Sequence, residues 1–173
     1  WTGYYQNWNS RCAACHTTNF EKQFNSETNQ YHSTLTDANV ACESCHGSGQ
    51  EHIKSITDKT YSSDNTGLKD LGEKLIFHFS DGDPIARPQQ SPQGPSLTLD
   101  TCGACHSRRS ELQEPSGTEP YHQQFQLEGL NEPLYFSDGQ IREEVFVLGS
   151  FLQSKMAEAG VTCTNCHDPH TGK

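Results

Sequence analysis

Apolar side chains are scarce in this chain. Ala, Val, Ile, Leu, Met, Phe, Trp, Tyr and Cys together make 31% of 173 residues. On the wider set that counts Gly and omits Tyr the share is roughly 36%, against a usual 45–50%. So polar a chain cannot repay its ordering entropy by side-chain burial alone, which excludes an ordinary hydrophobic core unless apolar surface comes from elsewhere. No apolar run approaches the ~20 residues of a membrane span. Basic residues are few as well: 12 Lys and Arg face 22 Asp and Glu, a formal net charge of −10. That balance excludes nucleic acid as a partner and favours cationic partners or plain solubility. Methionine occurs once, at Met156.

Cysteine, by contrast, is plentiful and ordered. All eight cysteines fall in four C-x-x-C-H runs: Cys12 to His16, Cys42 to His46, Cys102 to His106 and Cys163 to His167. This is the attachment signature of c-type haem. Cys12 and Cys15, Cys42 and Cys45, Cys102 and Cys105, and Cys163 and Cys166 each form thioethers to the two vinyl groups of one haem. His16, His46, His106 and His167 then ligate the irons from one face. The expectation is four haem c, with the cofactor rather than a side chain carrying the chemistry.

Other uses of cysteine fit less well. A disulfide framework of eight cysteines does not ask for His after each second Cys. With 9 His in the chain, four such placements by chance have a probability of roughly 10⁻⁵. Zinc would group two CxxC pairs per site without the trailing His. Thioredoxin-like chemistry wants one CxxC in a βαβ unit, not four. Four macrocycles would also supply the apolar surface that the chain lacks. The predicted fold is therefore mainly irregular, with a few α-helices, little β-structure and a core organised by haem. Without haem the chain is expected to be largely unfolded.

The length suits one domain or two small halves; residues 1–173 are read as a single tetrahaem domain. The motifs begin 30, 60 and 61 residues apart, so the first two haems are expected to form a close pair. From Thr57 to Asp100 the chain is rich in Asp, Ser, Gly and Pro, with Pro84, Pro88, Pro92 and Pro95 close together, and reads as an irregular loop. Leu75-Ile76-Phe77 is expected to be a short strand or a core contact. The best helix lies near Gln140 to Glu158, where Ile141, Val145, Leu148, Leu152 and Met156 share a face and Gly160 ends it. A shorter helix is expected at Ser33 to Ala41. The sequence starts at Trp1 without a signal peptide, which reads as a mature product or an excerpt of a longer chain. CxxCH haem attachment occurs outside the cytoplasm, so a periplasmic or extracellular place is expected.

Five histidines stand outside the motifs: His32, His52, His78, His122 and His170. Four irons ligated by His on both faces need four of them, and which one is spare stays open. His170 follows His167 by three residues, a reach of ~10 Å at most. That is too short to round the macrocycle to its far face, so His170 as a ligand must serve a different haem. The same argument holds less strictly for His52, six residues after His46. Such crossed ligands clamp two haems close together. Met156 limits high-potential His/Met haems to one, and packing on the apolar face of its helix is the simpler role. Arg108 and Arg109 either pair with propionates or form a solvated charge pair. Asp81 and Asp83 read as a Gly-containing turn rather than a calcium site. Trp1, Tyr4, Tyr5 and Trp8 pack on the first haem or form a subunit contact.

These residues resemble a known family. Trp1-Thr2-Gly3 through Gln6-Asn7-Trp8-Asn9 ahead of Cys12, and Val40-Ala41 running into Cys42 to Gly47, resemble the large multihaem cytochromes that carry tetratricopeptide repeats. So do Tyr135 through Asp138-Gly139-Gln140, Gly149 to Met156, and Gly160-Val161-Thr162 running into Cys163 to His170. The resemblance is weak from Thr57 to Leu99. More distantly, CHG…H and CHDPH are similar to runs in cytochromes of the hydroxylamine and nitrite pathways. There the second histidine commonly ligates a neighbouring haem, which implies the same for His52 and His170. The larger members carry more haem motifs and a repeat domain. This chain is then an excerpt or a compact tetrahaem protein. Small tetrahaem cytochromes also form extracellular nanowire filaments, an architectural likeness.

Two functions are expected to compete. In the first, four six-coordinate haems move electrons, with redox proteins or copies of the chain itself as partners. A heterologous, non-closing contact between copies would build a filament. In the second, one five-coordinate haem reduces a nitrogen or sulfur oxyanion, which needs a nearby Arg, His or Tyr to donate protons; Arg108 and Tyr121 are available, as such residues are in most proteins. The histidine supply favours the first.

Overall fold

The computed structural model describes residues 6–72, 75–90, 94–115 and 119–172. Trp1, Tyr4, Tyr5 and Pro92 lie outside them. The chain divides into two compact units, Trp1–Leu71 with Glu114–Thr118, and Gly72–Gln113 with Glu119–Lys173.

The first unit opens with a π-helical turn, Trp8–Cys12, capped by the Asn7 carboxamide, which accepts from the Ser10 N–H at 3.1 Å. It runs into α1 (Ala13–His16). A two-stranded hairpin follows, β1 (Phe24–Asn25) against β2 (Gln30–Tyr31), extended by bridges Glu21–Thr34 and Thr18–Asp37. The Asn25 side chain accepts from the N–H groups of Glu27 and Thr28 and so closes the turn. Phe24 and Tyr31 pair across the strands with ring centroids 4.8 Å apart. The helix expected at Ser33 to Ala41 does not form. Thr34 and Thr36 instead donate their N–H groups to Glu21 and Thr18, the extended ladder that β-branched residues favour. Next come α2 (Glu43–His46) and α3 (Gln50–Thr57). Ala13 is the sole hydrophobic residue of the described first unit that is fully buried; Thr17, Thr18 and Ser55 are buried with it.

The second unit begins with a hairpin of β3 (Phe77–His78) and β4 (Arg87–Pro88). Its turn at Gly82 (φ +85°) is closed by the Asp83 N–H on the Ser80 carbonyl, as Asp81 and Asp83 were expected to do. Of the Leu75-Ile76-Phe77 run only Phe77 enters the strand. The segment from Thr57 to Asp100 also holds β4 and the start of α4 (Leu97–Gly103), which Ser96 caps through the Leu99 N–H. Then β5 (Arg109–Glu111) pairs with β6 (Phe125–Leu127), joined through α5 (Tyr121–Gln124). Tyr121, Phe125 and Leu148 form the buried cluster, with Leu99, Ala104 and Leu127 against it.

The helix expected from Gln140 to Glu158 shrinks to two turns, α6 (Leu148–Phe151) and α7 (Lys155–Glu158). Two features break it. Phe146 takes φ +59°, which a helix does not allow. The Val145 carbonyl accepts from the Arg108 N–H at 3.1 Å instead of from its own helix. Val145 and Leu148 are buried, but Ile141, Leu152 and Met156 are exposed, so Met156 does not pack inward as expected. Gly160 (φ +86°) does end α7, with the Val161 N–H returning to the Met156 carbonyl. Across the described residues more large apolar side chains are exposed than buried, among them Ile76 at 68% and Phe79 at 71%.

Candidate haem centres

Each of the four motifs is wound into a single turn. His46, His106 and His167 donate their backbone N–H groups to the carbonyls of Cys42, Cys102 and Cys163, each at 2.9 Å. Cys45, Cys105 and Cys166 donate to the same carbonyls at 3.2 Å. In the first motif α1 supplies the turn, with Cys12 as its N-cap residue. Positions i, i+3 and i+4 of a helical turn share one side, so each motif offers two thiols and an imidazole together. None of the eight cysteines forms a disulfide, and all are at least partly exposed. This donor set fits haem c, with two sulfurs for the vinyl groups and one nitrogen for iron. Among the described residues no three His, Cys, Asp or Glu converge as a cluster for a bare metal ion.

The first and third turns share a feature that the sequence reading missed. Thr17 and Ser107, each directly after the motif histidine, are buried and donate their hydroxyls back to Ala13 and Gly103 at 2.8 and 2.7 Å. The signal was visible as a hydroxyl residue after His16 and after His106. Replacing Thr17 by Val keeps the shape and removes the bond. The expected cost is about 1 kcal/mol, read by chemical denaturation; an unchanged midpoint would count against a role for the hydroxyl.

Motifs are joined in pairs. In the first unit the Thr18 hydroxyl donates to the Asn39 carbonyl at 2.7 Å and so accepts from Ser44, inside the second motif, at 2.8 Å. Asn19 donates to Glu43 of that motif at 2.9 Å. In the second unit α4 packs on the 3₁₀ turn Cys163–Asn165. The Cys102 thiol hydrogen-bonds to Cys163 and is the main cause holding the latter down to about 7, against the opposing effect of burial. The sulfurs of the third and fourth motifs are thus neighbours although 61 residues separate them.

A family model described as Cytochrome c554 and c-prime matches residues 4–47. That match supports a c-type cytochrome. The matched stretch holds the first two CxxCH turns whole. Covalent haem, electron transfer and a periplasmic or extracellular place go with that assignment. Neither the curated proteins nor the solved structures yielded a match. No helix among the described residues is long and apolar enough to cross a membrane.

The chain distributes its remaining histidines unequally. His32 and His52 belong to the first unit; His78, His122 and His170 belong to the second. His32 is exposed and its N–H bonds the Gln23 carbonyl beside the hairpin. His78 is exposed in β3 opposite Arg87. His122 is exposed on α5, its ring edge-on to Tyr121 at 5.0 Å. His170 is exposed and its N–H bonds the Asp168 carboxylate at 3.0 Å. His52 alone of the five is half-buried, and its Nδ1 lies 2.7 Å from the Thr66 carbonyl.

The two arginines after the third motif turn toward protein groups. Arg109 donates to the Ala104 carbonyl at 2.6 Å and lies 3.8 Å over the Phe125 ring. Arg108 reaches the Glu144 carbonyl at 3.1 Å. Neither is a bare solvated charge, and Arg109 braces the third motif from behind. The Tyr121 phenol donates to Ser107, whose own proton is committed to Gly103. Burial pushes that phenol up, with Ser107 and the Arg109 charge acting the other way.

Proposed function

We propose that this cytochrome carries electrons through four covalent c haems, two in each unit, with histidine on both faces of every iron. Bound haem supplies a one-electron Fe(III)/Fe(II) couple; the chain supplies attachment, ligands and spacing. The observation that supports this reading most is the packing of α4, which carries Cys102, on the Cys163–Asn165 turn, which would set the two haems of the second unit side by side. The corresponding link in the first unit is Thr18 with Ser44. Close pairs of redox centres suit electron transfer.

The ligand supply agrees with it. In the first unit His52 serves the haem of the first motif by the reach argument, which leaves His32 for the second. In the second unit His170 serves the third motif, and His78 or His122 the fourth. Partners are redox proteins or further copies of the chain, as in a filament, and the resemblance to multihaem cytochromes with tetratricopeptide repeats makes a module of a larger assembly the other setting.

The test is haem content together with EPR of the isolated ferric protein. Four haems per chain, all low-spin and unmoved by cyanide or nitrite, are expected. A high-spin ferric signal that shifts on adding nitrite would replace the carrier by an enzyme. Electron microscopy of the same sample separates filaments from single particles.

A further inference from the structure

One segment of the first unit touches both kinds of histidine. Lys69 donates its N–H to the carbonyl of His46, the motif histidine, at 2.8 Å. Three residues earlier, the Thr66 carbonyl lies 2.7 Å from Nδ1 of His52. A carbonyl only accepts, so Nδ1 carries the proton and Nε2 keeps its lone pair. That is the tautomer an iron ligand needs. The Tyr61 ring stands edge-on to the imidazole at 5.9 Å.

Gly67 makes this approach possible. Its φ is +70°, and a Cβ built on it would lie 2.6 Å from the His52 backbone nitrogen and 2.7 Å from the Glu51 carbonyl carbon. Both neighbours are backbone at the start of α3 and cannot step aside as a side-chain tip would. The absence of a side chain at Gly67 therefore sets how near the Thr66 carbonyl comes.

We propose that Gly67 is a positioning residue, which seats the Thr66 carbonyl on His52 Nδ1 and so biases the haem that His52 ligates toward low potential. A hydrogen bond from the ring N–H makes the opposite nitrogen a stronger donor, and a stronger donor favours ferric iron. The inference rests on reading His52 as an iron ligand.

Redox titration of the haem-loaded protein, wild type against Gly67→Ala, reads the effect. One haem is expected to lose about tenfold of its preference for the ferric state, a rise of ~59 mV for one electron, with the other three in place. Four unmoved potentials, or four that move together, overturn the proposal. Should Gly67→Ala yield no loaded protein, NMR of the wild type decides. The His52 ring N–H is expected to exchange about tenfold more slowly than that of an exposed ligand histidine, and equal exchange overturns the proposal. His52→Ala tests the reading beneath it: one haem turning high-spin supports ligation. If every haem stays low-spin, it is the ligand assignment that fails.

Discussion

Replacing Cys12, Cys15, Cys42 and Cys45 by Ala is expected to unfold the first unit while the second keeps part of its structure. Each ordered residue costs ~1–2 kcal/mol of backbone entropy. A fully buried aliphatic or aromatic side chain returns ~1.5–3 kcal/mol. Among its described residues the first unit fully buries nothing apolar larger than Ala13. Its inward-facing groups are the hydroxyls of Thr17, Thr18 and Ser55, bonded to backbone and to each other's neighbours. Such bonds contribute about 1 kcal/mol each and cannot carry a unit of this size. On the proposed reading, covalent haem closes the difference. Amide hydrogen exchange of the variant should show residues 6–71 without protection and retain protected amides around Tyr121 and Phe125. Native-like protection in the first unit of the variant would defeat the idea that haem organises it.

In the second unit the largest loss is expected at Tyr121. Its side chain is 3% exposed and packs on Phe125 and Leu148. Tyr121→Ala should destabilise by about 3–5 kcal/mol, the range for losing a buried aromatic ring. Tyr121→Phe should cost only about 1 kcal/mol. The reason lies in the direction of the bonds. Ser107 donates to Gly103 and merely accepts from the phenol, so removing the phenol leaves no buried donor without a partner. Gly103 also has no room to help refill the space in the native protein, since a Cβ there would meet Leu148 at 2.8 Å and Tyr121 at 3.2 Å. Denaturation midpoints of the two variants read the difference. Equal costs for Ala and Phe would mean that the hydroxyl, not the ring, holds the cluster.

The four CxxCH turns were legible because their geometry is local: five consecutive residues hold the thiols and the imidazole. The partnership of the first and second motifs followed from their short spacing. That of the third and fourth did not, since it depends on α4 packing against residues 61 positions on. The long helix from Gln140 failed for a related reason. Its apolar spacing was real, but Val145 is drawn to the Arg108 backbone and Phe146 leaves the helical region, both tertiary demands that periodicity does not register. The segment from Ser33 to Ala41 was lost to a hairpin, where Thr34 and Asp37 bridge Glu21 and Thr18 on the other arm. The Thr66–Gly67 contact with His52 joins a loop of unremarkable composition to a helix, and only coordinates bring the two together.

The polar interior of the first unit also fixes an order of assembly. A unit that buries no apolar side chain larger than Ala13 among its described residues is not expected to collapse early, so on the proposed reading it would meet its haem still extended. The CxxCH thiols stay within reach of an attachment apparatus until the last bond is made. On that reading folding would follow attachment, and an unloaded first unit would stay open to proteases, so that only copies that had received their iron would persist.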